Sequence, residues 1–182
     1  MQKEKKKMNK EKTCKIVRLF KIFNSIMLVL YVLCLVYVLF LKDYISIERR
    51  TTYLDLGIME YITQTSNFIP TKTIGEFVRR GLDGSMNMDI IISNLVGNLI
   101  LFMPAAYFAV MLSNIRFKKY FIVMLGIIFS IEIIQIIMRL GSFDVDDIIL
   151  NMLGTTIAFV ILNKINAIIS EKIRLMDIYG EC

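Results

Sequence analysis

Residues 22–41 read IFNSIMLVLYVLCLVYVLFL, and this stretch decides the fold class. Only Asn24 and Ser25 are clearly polar in it. A helix needs roughly 20 residues to cross a hydrocarbon layer of about 30 Å, so this run is long enough to span one. Lys15, Arg18 and Lys21 precede it, which raises the alternative of a cleaved secretion signal. The run is too long for that, and Leu41-Lys42-Asp43 offers no small-residue cleavage site, so it reads as an uncleaved anchor.

Three more apolar runs follow the anchor. One extends from about Ile90 to Leu112, interrupted by Ser93, Asn94, Gly97, Asn98 and Pro104; the next is Tyr120 to Met138, carrying Glu132 and Gln135. The last begins at Ile148 and fades near Ile165, with Asn151 inside it. Over all 182 residues 56% are hydrophobic, against about 45–50% in soluble domains. The absence of histidine excludes His-based triads and His-ligated zinc or haem, and the three cysteines form no C-x-x-C pair, so no disulfide, metal or cofactor role is assigned.

These features predict an all-α, polytopic membrane bundle of four transmembrane helices. Residues 1–21 form a basic N-terminus, 22–41 a transmembrane anchor and 42–89 a loop. Residues 90–165 form a three-helix core and 166–182 a tail. Basic residues flanking spans stay on the cytoplasmic side. Residues 1–21 hold nine basic residues against two acids, so the N-terminus is expected inside and, after four crossings, the C-terminus too. Segments then assigned outside carry seven basic residues and ten acids; those inside carry fifteen and five. The N-terminal lysines lack interleaved aromatics and abut a span, which points to anionic lipid heads and not to nucleic acid.

Within 42–89, the Tyr53–Thr63 part reads as a short amphipathic or interfacial helix. Asn67-Phe68-Ile69-Pro70 reads as extended, since a residue before proline avoids the helical region. Gly81, Gly84 and Asn87 read as turn positions before the second span.

Polar side chains inside spans are costly and by default face protein or a cavity. Here their depths agree. With the orientation above, Asn94 and Asn98, Glu132 and Gln135, and Asp147 and Asn151 all fall in the outer half of the bilayer. Each set repeats at i, i+3, i+4 or i+7 and so lines one helix face: Asn94 with Asn98; Glu132 with Gln135 and Arg139; Asp147 with Asn151 and Gly154. Gly97 and Gly154 are placed to let helices approach closely. Glu132 is expensive to ionise at its depth and is expected to be neutral, paired with Arg139, or both. Asp144, Asp146 and Asp147 suit the first turn of a helix as caps, with or without a further ligand role. The candidate ligand-binding set is therefore Asn94, Asn98, Glu132, Gln135, Asp144, Asp146, Asp147 and Asn151. Hydrogen-bonded glue between helices is the competing reading of the same residues.

The order and spacing of four stretches resemble the VanZ-like family over about residues 67–162. The stretches are Asn67-Phe68-Ile69-Pro70 followed by Thr73-Ile74; Asn94-Leu95-Val96-Gly97-Asn98 leading to Leu101-Phe102-Met103-Pro104; Glu132 with Gln135; and Gly141 through Asp144, Asp146, Asp147, Asn151 and Gly154. Ala106 and Thr71 depart from the family pattern, which commonly has glycine and an aromatic residue there. The resemblance implies a bacterial cell-membrane protein, one of whose relatives is associated with reduced susceptibility to teicoplanin.

Three functions remain open on the sequence. The first is a non-catalytic protein binding an amphiphile, either a teicoplanin-like lipoglycopeptide or a lipid-linked cell-wall component. The second is a metal-assisted enzyme on a lipid headgroup, with Glu132 as acid–base and Asp144, Asp146 and Asp147 around a cation. The third is a scaffold or small transporter subunit. Membrane lipids are partners in each.

Overall fold

A computed structural model describes residues 2–41, 56–113 and 115–179, with side chains described for 15–41, 56–113 and 115–171. The start of the amphipathic helix expected from Tyr53, the side chain of Cys14, and Cys182 lie outside the described residues. Helix α1 runs Gln2–Val36 and passes into a π-helical turn, Tyr37–Leu41. Two short helices follow, α2 (Ile58–Thr65) and α3 (Lys72–Leu82). Then come α4 (Met88–Leu101), α5 (Met103–Leu112), α6 (Phe117–Ile137) and α7 (Val145–Tyr179). No strand occurs among the described residues.

Four helical segments are long and apolar enough to cross a membrane: Lys15–Leu41, Met88–Leu112, Phe117–Ile137 and Val145–Glu171. The first and last exceed the apolar runs read from sequence, because helix continues through the flanking charged residues. The sequence places residues 72–82 within a loop, whereas they form helix α3 with its apolar side chains gathered on one side. Gly81 consequently sits inside α3 and is not a turn, whereas Gly84 has φ +71° and makes the turn itself. Asn87 then caps α4, accepting from the Asp89 amide at 2.8 Å.

The second span breaks at Phe102, where φ and ψ are −100° and 3°. Pro104 has no N–H and its ring crowds the carbonyl four residues earlier, which kinks or breaks a helix at this point. Ala105 N donates to Phe102 O at 3.1 Å, which leaves Leu101 O without its usual helical donor. In an apolar layer a bare carbonyl costs several kcal/mol. Tyr31 of α1 satisfies Leu101 O at 2.9 Å, and Thr155 of α7 donates to Phe102 O at 2.9 Å. The break is thus where α1 and α7 are pinned to the bundle. A second link to α1 comes from Tyr107, which donates to the buried Asn24 at 2.8 Å.

α7 is the central element, packed on α5, α4 and α6. Phe102, Ala106 and Val110 meet Tyr120, Met124 and Ile128 of α6 and Met152 and Phe159 of α7 in the main core. Tyr120 and Phe159 stack with centroids 4.2 Å apart. Gly154 permits the α4–α7 approach, because a Cβ there would overlap the Leu99 carbonyl. Gly97 does not share that role: a Cβ at Gly97 would meet nothing within 4 Å.

Candidate functional site

The polar side chains gather where α6 ends and α7 begins. α6 stops because Arg139 adopts φ +54°, with Leu140 N closing back onto Gln135 O at 2.9 Å. A left-handed turn of this kind favours glycine, and an arginine there costs about 1–2 kcal/mol. Its guanidinium compensates: it donates to Leu56 O at 2.8 Å and lies 5.7 Å from the Tyr61 ring centroid. Pairing of Glu132 with Arg139, one of the alternatives for Glu132, is not among the ion pairs of the described residues. Tyr61 itself donates to Gly141 O at 2.6 Å, tying α2 to the same turn.

Residues 66–74 are fastened across the start of α7. Asn67 N donates to Phe143 O at 2.8 Å and Val145 N to Asn67 O at 3.1 Å, a parallel bridge between Asn67 and Asp144. Asp144 Oδ1 accepts from Asn67 Nδ2 at 3.0 Å and from Asp146 N at 2.8 Å. The Thr73 hydroxyl donates to its Oδ2 at 2.7 Å. Asp146, fully buried, accepts from Thr71 N at 2.5 Å and Ile74 N at 3.1 Å. It supplies from another part of the chain the cap that α3 lacks, since Thr71 at φ 66° makes no side-chain cap of its own. Asp144 and Asp146 are thus spent on joining α3 to α7.

Three neighbours are not spent. Glu132 is buried, yet only its Oε2 accepts a hydrogen bond among the described residues, from Asp144 N at a long 3.4 Å. Asp147 accepts from Asn98 Nδ2 on one oxygen only, and it lies within Coulombic reach of Glu132. Asn151, one helical turn beyond Asp147 on the same face, is 3% exposed and its Oδ1 has no partner. Buried polar atoms are satisfied in the great majority of cases, so an unpartnered one calls for a reason. Among the described residues none of these carboxylates ion-pairs with a basic side chain. The cluster offers acceptors and little else.

The structure thus brings Asn98, Glu132, Asp144, Asp146, Asp147 and Asn151 to one end of the bundle. Asn94 does not join them: it is exposed and its amide donates to Ile90 O of its own helix at 2.7 Å. Gln135 turns away and donates to Leu39 O at 3.0 Å, capping a carbonyl of the π-helical turn. Asn67 and Thr73 belong to the cluster, although the sequence marks them only through the family resemblance and not as site residues. Thr155 was missed altogether; it is fully buried between Phe102 O and the Tyr120 hydroxyl. Its spacing of four from Asn151 was the available signal. Among the described residues no three His, Cys, Asp or Glu side chains are grouped as metal ligands, so the D-x-D-D stretch presents no ready donor set for a cation.

No curated protein and no solved structure matches the chain. The sequence profile of the VanZ/LLP1 family matches it over residues 28–168, which takes in α2 to α6 and all of α7 that carries the polar cluster. With four helices long and apolar enough to span a membrane and this match across most of its length, the chain belongs to the VanZ/LLP1 family.

Proposed function

We propose that this protein sits in a bacterial cell membrane with both termini in the cytoplasm and binds the polar head of a lipidated or lipid-linked envelope molecule. The binding residues are Glu132, Asp147 and Asn151, with Asn98 holding Asp147 in place. The observation that carries this reading is Asn151, more than nine-tenths buried and with its Oδ1 unpartnered beside two under-used carboxylates. Side chains that served only to glue the fold would be satisfied by other protein groups, as Asp144 is by Asn67, Asp146 by the Ile74 amide and Thr155 by the Phe102 carbonyl. A set rich in acceptors takes a ligand rich in donors: an ammonium group, sugar hydroxyls or peptide N–H groups. Lipid-linked cell-wall components and teicoplanin-type lipoglycopeptides both present such groups beside an acyl chain. Binding the latter lowers the cell's susceptibility to it.

Mass spectrometry of amphiphiles co-purifying with wild type and with Asp147→Asn tests the reading. Asparagine keeps an oxygen for Asn98 but removes the charge. A donor-rich amphiphile enriched on wild type and lost from a well-folded Asp147→Asn supports the site. Identical lipid profiles on both reject it.

A further inference from the structure

α3 carries more apolar surface than the bundle covers. At about 100° per residue, Ile74, Phe77, Val78, Gly81 and Leu82 fall on one side and Lys72, Glu76, Arg79 and Arg80 on the other. Ile74, Phe77 and Gly81 face the protein and are partly buried. Gly81 packs so closely on α4 that a Cβ there would lie 3.1 Å from Ile91 Cδ1 and 3.3 Å from Met88 S. Val78 and Leu82, on the adjoining flank, remain 50% and 86% exposed.

The contact with Met88 fixes the depth of α3. Met88 is the first residue of a helical segment long and apolar enough to span a membrane, so the end of α3 lies beside the start of that segment. The polar side suits a headgroup layer: Arg80 pairs with Glu76 at 4.0 Å, while Lys72 and Arg79 make no ion pair among the described residues. Long basic side chains keep their stems in apolar surroundings and their heads among phosphates.

From this geometry we propose that α3 is an interfacial helix, lying along the phospholipid leaflet with Val78 and Leu82 among the acyl chains and Lys72 and Arg79 at the phosphates. Asp146 holds the first turn of α3 through Thr71 N and Ile74 N, so the surface helix and the start of α7 form one unit. The leaflet thereby sets the depth of the acid cluster at headgroup level.

The protein contains no tryptophan, which makes single-tryptophan variants clean reporters. Leu82→Trp, Val78→Trp and Glu76→Trp are reconstituted in phosphatidylcholine vesicles, with Ile133→Trp on the exposed face of α6 as a lipid-facing control. The expected result is that bromine on the acyl carbons nearest the headgroup removes most of the Leu82→Trp and Val78→Trp emission, while aqueous acrylamide does not. Glu76→Trp is expected to behave in the opposite way. Acrylamide quenching of Leu82→Trp and Val78→Trp to the level of Glu76→Trp would place the flank in water and overturn the proposal. Shielding of both from acrylamide and from bromolipid would overturn it too, showing a second copy or another protein on the flank.

Discussion

The side-chain amide of Asn67 donates to the Asp144 carboxylate at 3.0 Å across 77 positions of chain. With the two backbone bonds beside it, this contact converts a connecting segment into a fixed strap over the start of α7. Asn67→Ala leaves the buried Asp144 short of a donor, a deficit of about 1–3 kcal/mol. Thermal unfolding of the purified protein is expected to show that loss. Asn94→Ala, which removes an exposed amide bonded to its own helix, is expected to change stability by less than about 0.5 kcal/mol.

Asp146 accepts with its two oxygens the amides of Thr71, just before α3, and of Ile74 in its first turn. Asp146→Ala is expected to free both, raising hydrogen exchange at Thr71 and Ile74 and lowering stability by about 2 kcal/mol, the upper end for a lost cap. Asp146→Asn keeps one acceptor and is expected to fall between. Unchanged exchange at both amides in Asp146→Ala would refute the cap.

Gly154 and Gly97 separate two roles for small residues. A methyl at Gly154 meets the Leu99 backbone, which can yield only by parting α4 from α7. Gly154→Ala is expected to destabilise by about 1–3 kcal/mol, as overpacking does. Gly97→Ala enters open space and replaces glycine by a better helix former, so it is expected to be neutral or stabilising by up to about 1 kcal/mol. Melting temperatures of the two variants in one detergent decide the comparison.

The proposed orientation is tested by labelling. With Cys14, Cys34 and Cys182 replaced, Ser142→Cys in the exposed turn before α7 is expected to react with an impermeant thiol reagent applied to intact cells. Ser113→Cys, at the opposite end of the bundle, is expected to react only after permeabilisation. The reverse pattern would invert the topology.

Hydropathy made the spans legible because an apolar layer leaves a helix no other partner for its backbone. Pro104 made the break in the second span legible as well, though not the Tyr31 hydroxyl that takes up the freed Leu101 carbonyl or the Thr155 hydroxyl that bonds Phe102 O. Helical spacing gave faces, not neighbours. It grouped Asn94 with Asn98 and Glu132 with Gln135, yet one member of each pair reaches the cluster and the other satisfies a nearby carbonyl. The strap from Asn67 to Thr73 was invisible for a different reason. Its partners lie on α7 far along the chain, and only the assembled bundle brings them together.

On the proposed function, the polarity left unspent beside Glu132 and Asp147 serves a ligand and not the fold. Asn151→Leu tests it most directly, because leucine has a similar branched shape and removes a buried amide whose Oδ1 has no partner. A melting temperature equal to or above wild type, as expected when an unsatisfied buried group is removed, together with loss of the co-purifying amphiphile, is the predicted result. A lowered melting temperature with the amphiphile retained would contradict the account and make Asn151 part of the helix seam.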